Sequence, residues 1–199
     1  FKSDLSFPEL ATCMIHPFTK DDLTHAQLTD ICELAFDFPL RIKELNETDS
    51  VLELFHGPTF AFKDFAARFM ARTMSYFLEN KDNELTILVA TSGDTGSAVA
   101  NGFFNLDGIN VIILYPSNRV SAIQEKQLTT LGGNITALEI DGSFDDCQRM
   151  VKAAFQDHDL RHRLFLSSAN SINMGRLLPQ SVYYAWAWKQ YANNETVIF

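Results

Sequence analysis

The chain has 199 residues, of which 46% are hydrophobic and 21% charged, with a formal net charge of −9. That is enough chain for one large domain or two small ones around a sizeable core, with an ordinary globular composition. The acidic balance and the lack of any basic run argue against a general nucleic-acid binder, and no apolar run reaches the roughly 18 residues that span a bilayer.

Residues 20–37 (KDDLTHAQLTDICELAFD) read as an amphipathic helix within an N-terminal helical segment over 1–50. Thr19, followed by Asp21 and Asp22, marks its start, and Pro39 its end. VLELF (51–55) reads as a short strand. From residue 85 short apolar runs alternate with helical patterns. LTILVA, INVIILYP, NITALEI and RLFLSS are the strands; SGDTGSAVANGFF, VSAIQEKQLTTLG and FDDCQRMVKAAFQDH are the helices. Strands that are apolar along their length and alternate with helices predict an α/β fold, a parallel sheet with helices on both faces. LLPQSVYYAWAWKQY then reads as a long buried helix, and the terminal TVIF as an interrupted strand. With Phe1 at the start, both ends read as cuts in a longer protein.

Three cysteines (Cys13, Cys32, Cys147) without a CxxC fit a reducing compartment such as the cytoplasm rather than a disulfide framework. No signal peptide is visible. His158 and His162 stand four apart but lack a third ligand, so no metal site is expected, and His56 reads as an ordinary hydrogen-bonded histidine.

Three clusters carry candidate chemistry. In HGPTFAFKDFAARFM, Lys63 lies among Phe60, Phe62 and Phe65 at a predicted helix start. The positive end of the helix dipole and apolar walls both favour a neutral amine, as a Schiff-base lysine requires, whereas an ion pair with Asp64 would oppose this. TSGDTGSA (91–98) is a glycine turn between a strand and a helix. Gly93 and Gly96 permit close approach of an anion to backbone N–H groups, and Thr91, Ser92 and Thr95 add hydroxyls. It is neither GxGxxG nor a P-loop, so a small carboxylate or phosphate suits it better than a nucleotide. In SSANSINMGR (167–176), Arg176 is a candidate anion clamp near a strand end, where open parallel sheets bind ligands.

The ordered segments LELFHGPTFAFKDFAARFMA, ILVATSGDTGSAVA, VIILYP, QEKQLTTLGGNI, DGSFDDCQ and SSANSINMGRLLPQ together resemble the threonine synthase family. The resemblance implies a tryptophan-synthase-β-like fold (fold type II) with pyridoxal 5'-phosphate as cofactor. It also implies a small domain over 85–175, with 51–84 and 176–199 forming part of a large domain. The implied reaction converts O-phosphohomoserine and water to L-threonine and phosphate. Lys63 then matches the lysine that carries the cofactor as a Schiff base and later moves protons at the α- and β-carbons. Phe62 and Asp94 match positions beside the cofactor. Relatives of this fold often place Asn where Asp94 stands; an ionised Asp accepts without donating. Thr91, Ser92, Gly93, Asp94 and Thr95 match the loop that holds the substrate carboxylate. Ser171, Asn173 and Arg176, with Thr95, match the grip on the substrate phosphate. The glycine-rich loop for the cofactor phosphate is expected beyond Phe199, so the 199 residues alone are expected to hold cofactor poorly. No membrane or nucleic-acid partner is implied, and the oligomeric state is left open. Two alternatives stand beside this reading. One is another lyase of the same fold, such as a threonine deaminase or cysteine synthase relative; the other is a non-catalytic anion-binding homologue.

Overall fold

The computed structural model describes residues 5–79, 84–169 and 174–191. The chain opens with two helices, α1 (Phe7–Thr19) and α2 (His25–Ala35), where the sequence reading placed one helix over 20–37. Two capping boxes set the true boundaries. Ser6 and Glu9 exchange side-chain and backbone hydrogen bonds at the start of α1, and Thr24 and Gln27 do the same for α2. Thr19 therefore ends a helix rather than starting one.

Two strands follow as an antiparallel pair, β1 (Arg41–Glu44) and β2 (Ser50–Glu53), with Ile42 opposite Leu52. The first was not predicted, because RIKE carries no apolar alternation strong enough to read.

Next come α3 (Lys63–Leu78), β3 (Leu85–Ala90), α4 (Asp94–Phe103), β4 (Ile109–Pro116), α5 (Ala122–Thr129), β5 (Ile135–Ile140) and α6 (Phe144–Gln156). The chain continues through α7 (His158–Leu164), β6 (Leu166–Ser167) and α8 (Met174–Tyr191). RLFLSS was expected to be strand throughout. Instead α7 occupies its first residues, and Phe165, in left-handed backbone at φ 44°, turns the chain into a two-residue strand.

The parallel sheet has the order β5-β4-β3-β6, with Ile87 aligned to Val111 and Val111 to Ile135. Its strands alternate between two buried faces, as a doubly covered sheet requires. Ile87, Val89, Val111 and Ile113 face a core shared with α3 and α4, while Leu88 and Leu114 face Cys147 of α6. The chain builds outward from β3 through β4 to β5, then returns to the other side of β3 at β6. That reversal makes the carboxyl ends of β3 and β6 the topological switch point, the place where ligands bind in open α/β sheets.

Helix α3 belongs to two cores. Ala67, Met70 and Ala71 pack toward the sheet, whereas Phe65 and Phe69 pack among α1, α2 and α8. The Phe65 ring sits between Phe7, Phe36, Phe38 and Tyr183, with centroids 4.8–6.2 Å away. Helices α3 and α4 touch closely at Gly102, where a Cβ would lie 3.1 Å from the Ala67 carbonyl group. Arg68 fastens α3 to the end of α2 by donating to the carbonyls of Leu34 and Ala35 and to Asp37. The carboxyl end of α2 thus gains a cation at its last free carbonyls.

Helix α8 is amphipathic rather than buried throughout. Val182, Tyr183 and Ala187 are buried, while Tyr184 and Trp188 are half exposed. The terminal TVIF lies outside the described residues. Among the described residues, no helix is long and apolar enough to cross a membrane, and no group of three or more metal-ligating side chains is found.

The three cysteines are unpaired and differ sharply in access. Cys13 is exposed, whereas burial pushes the Cys32 thiol up to about 12 and raises Cys147 as well. A thiol reagent at neutral pH is expected to label Cys13 in the folded chain and to reach Cys32 and Cys147 only after denaturation. Peptide mass spectrometry checks this.

Candidate active site

The segment before α3 is held by one buried carboxylate. Asp64 is 1% exposed; its oxygens accept the Thr59 N–H at 2.9 Å and the Thr59 hydroxyl at 2.5 Å. Burial raises its pKa against the opposing pull of these hydrogen bonds. Gly57 makes room for it, since a Cβ there would fall 2.4 Å from Asp64 Oδ2. The turn Gly57–Phe60 closes with Phe60 in left-handed backbone at φ 62°, an uncommon conformation for a bulky aromatic.

Lys63 emerges from this turn at the first position of α3. Asp64, its neighbour, is occupied by Thr59, so the ion pair forms elsewhere. The Lys63 Nζ lies 3.3 Å from Asp94 Oδ2, at the first position of α4. The expected aromatic wall takes a different form. Phe65 turns to the opposite side of α3 into the helical core, and Phe60 is 71% exposed. Phe62 lies against the amine, its ring centroid 4.8 Å from Nζ.

The turn from β3 into α4 is braced from within. The Thr91 hydroxyl accepts the N–H groups of Gly93 and Gly96 at 3.0 and 2.8 Å and donates to the Gly93 carbonyl at 3.1 Å. The Thr91 hydroxyl thus braces the turn from within. The N–H groups of Asp94 and Thr95, in the first turn of α4, have no intrahelical partner and keep an anion-binding helix end available. Ser92 and Asp94 are exposed and Thr95 is half-buried at this edge.

Gly93 stands at φ 145°. Its missing Cβ is filled by the Gln124 side chain, which an added Cβ would approach to 2.5 Å. Gly93→Ala is expected to cost roughly 1–3 kcal/mol, from backbone strain and overpacking together. Chemical denaturation of the variant measures it.

Arg176 lies in the first turn of α8 and is only 3% exposed. Its Nη1 donates to the Ala169 carbonyl at 2.8 Å, and its Nε is buried with no partner among the described residues. Burial lowers its pKa. Ala169 follows β6, so the guanidinium is anchored at the carboxyl edge of the strand next to β3. Ser171 and Asn173 lie outside the described residues.

Lys63, Phe62 and Asp94 thus meet directly, while Ser92, Gly93 and Thr95 share the turn beside them. Arg176 is tied to a neighbouring strand end; its described hydrogen bond goes to Ala169 rather than to the lysine. Sequence reasoning missed Gln124. Its place three residues after Ser121 is a readable capping signal, but its contact with Asp94, 30 positions away, exists only in the tertiary fold. His56 Nε2 donates to the Glu53 carboxylate at 2.6 Å, as an ordinary paired histidine.

Residues 50–194 match the family model for pyridoxal-phosphate dependent enzymes. The chain belongs to the pyridoxal-phosphate dependent enzyme family. Within that family it is similar to the threonine synthase of Haemophilus influenzae, 51% identical over 163 residues, which cover 82% of this chain and 38% of that protein. Among solved structures it is similar to the pyridoxal-phosphate-bound threonine synthase of Brucella melitensis, with a TM-score of 0.89 and 39% identity over 97% of this chain and 43% of that one. The Escherichia coli threonine synthase structure gives a TM-score of 0.88 with 45% identity, covering 96% and 44%. The chain spans about two fifths of the length of the curated relatives it matches. The type II fold expected from the sequence is the fold of these structures.

The residues around Lys63 suit the family's cofactor. The partly enclosed primary amine of Lys63, which could bond a carbonyl group, has an acid beside it and an aromatic ring against it.

Proposed function

We propose that the full-length protein is a threonine synthase, converting O-phosphohomoserine and water to L-threonine and inorganic phosphate. The observation that carries this reading is the Lys63–Asp94 pair at the carboxyl edge of the sheet, in a chain this similar to threonine synthases. Lys63 would hold pyridoxal phosphate through its amine, with Asp94 and Phe62 beside it. The bound cofactor supplies an electron sink for a carbanion at the substrate's α-carbon. When free, the Lys63 amine is the group placed to take the α-proton and return protons at neighbouring carbons. Ser92, Gly93 and Thr95 present the exposed end of α4 to the substrate carboxylate. Arg176, with Ser171 and Asn173 on the preceding segment, grips the substrate phosphate as a charge-assisted donor. Thr91 belongs to the same loop and shapes it through the internal hydrogen bonds of its hydroxyl.

The domain division expected from the sequence is kept here as part of the proposal, with α3 shared between the sheet core and the helical core. In that division 85–175 would be the small domain around the sheet, and 51–84 with 176–199 would be part of a larger one. The unpaired cysteines suit a cytoplasmic enzyme.

The test is an assay of the full-length protein loaded with pyridoxal phosphate. Threonine and phosphate should appear from O-phosphohomoserine in equal amounts. Turnover of threonine or O-acetylserine, with no phosphate released from O-phosphohomoserine, would assign the site to another lyase of this fold.

A further inference from the structure

Gln124 is the third residue of α5 and takes part in two structures at once. At the start of its own helix, its Oε1 accepts the Ser121 N–H at 3.3 Å and the Ser121 hydroxyl at 3.1 Å. That fixes which end of the amide is which, because a reversed amide would set its NH2 against the Ser121 N–H. The NH2 must point away from the cap, and there it meets Asp94: Nε2 donates to Asp94 Oδ1 at 2.5 Å. The other carboxylate oxygen of Asp94 is the one paired with Lys63. The bare Cα of Gly93 lets the amide lie this close. One turn along the same face of α5, Gln127 reaches the Thr59 carbonyl at 3.4 Å, in the turn that delivers Lys63.

From this arrangement we infer that Gln124 is a positioning residue of the active site, fixing the Asp94 carboxylate so that its second oxygen stays turned to the Lys63 amine. The capping role alone does not need a glutamine. Glutamate at this position of a helix makes an equally good box. Only the contact with Asp94 requires a neutral donor, since a glutamate there cannot donate when ionised and sets a like charge against Asp94. The two roles can therefore be separated by comparing substitutions at Gln124 and Ser121.

This inference rests on the reading of Lys63 as the working amine, but its test needs neither cofactor nor substrate. In the cofactor-free full-length protein, acetylation of Lys63 by limiting acetic anhydride is followed across neutral to alkaline pH by peptide mass spectrometry. Among the described residues, Asp94 is the charged side chain paired with the Lys63 amine. The Gln124→Met variant keeps the length of the side chain and loses both the cap acceptor and the donor to Asp94, so Tm should fall by a few degrees. With Asp94 no longer held on the amine, Lys63 should label several-fold faster at neutral pH, with the profile displaced to lower pH. The Ser121→Ala variant weakens the cap but leaves the amide on Asp94, so it should lower Tm while Lys63 labels as in the wild type. Wild-type labelling in Gln124→Met would overturn the inference and reduce Gln124 to a cap. Faster labelling in Ser121→Ala to the same extent would overturn it too, by showing that the effect travels through helix stability. Both results are independent of whether the enzyme releases phosphate from O-phosphohomoserine.

Discussion

Lys63→Ala in the full-length protein is expected to leave no covalently held cofactor and to lower turnover by at least about 10⁴-fold, the scale of losing a nucleophile or base that works at the reacting centre. The fold should barely register the change. The Lys63 side chain is 21% exposed and its partner Asp94 50%, so this is a partly exposed, solvent-screened pair, worth about 0–1 kcal/mol to stability. An activity loss of that size beside an almost unchanged Tm places the effect in the chemistry. Lys63→Arg sharpens the result. It keeps the positive charge and can still face Asp94, but a guanidinium does not form the imine. The expected outcome is an equally inactive protein with an intact fold. Absorbance of the bound cofactor, turnover and thermal unfolding, measured on both variants, check the prediction together.

Arg176→Met should separate stability from function in the opposite sense. A guanidinium that is 3% exposed, with Nε unpartnered among the described residues, is a costly group to bury. Its one described anchor is the Ala169 carbonyl. A methionine of similar length fills the space without a charge, so the folded state should be unharmed or more stable, by as much as about 1–4 kcal/mol. Substrate binding should weaken strongly, because a charge-assisted grip on a phosphate is lost; KM for O-phosphohomoserine is expected to rise by roughly 10²-fold or more. Denaturant titration and steady-state kinetics measure the two arms. A large loss of stability with little change in KM would recast Arg176 as a strut for the turn into α8.

Much of this architecture is legible in the chain itself. The runs LTILVA, INVIILYP and NITALEI are short, apolar and separated by helical patterns, so the doubly covered sheet follows from pattern alone. The glycine turn before α4 and the lysine at the start of α3 are likewise visible, because Gly93 and the setting of Lys63 among phenylalanines depart from ordinary helix and strand composition. What stayed hidden depends on contacts across long separations. The exchange of partners between Asp64 and Asp94 is one case. A reader of the sequence sees Lys63 next to Asp64, but Thr59 satisfies Asp64 and frees the lysine to reach α4. Thr91 is another, since only the fold turns its hydroxyl onto Gly93 and Gly96. The break between α1 and α2 could have been read from Ser6–Glu9 and Thr24–Gln27, whose spacing is the capping-box signature. It was masked by apolar residues such as Leu23 that stay buried through the turn.

The most direct test of the central claim is to reduce the full-length protein with borohydride in the presence of pyridoxal phosphate and map the modified residue by mass spectrometry. A single stable adduct on Lys63, lost in Lys63→Ala, is the result expected from an amine held at 3.3 Å from Asp94, beside the turn that follows β3. An adduct on another lysine, or labelling scattered over surface amines with Lys63 untouched, would contradict it.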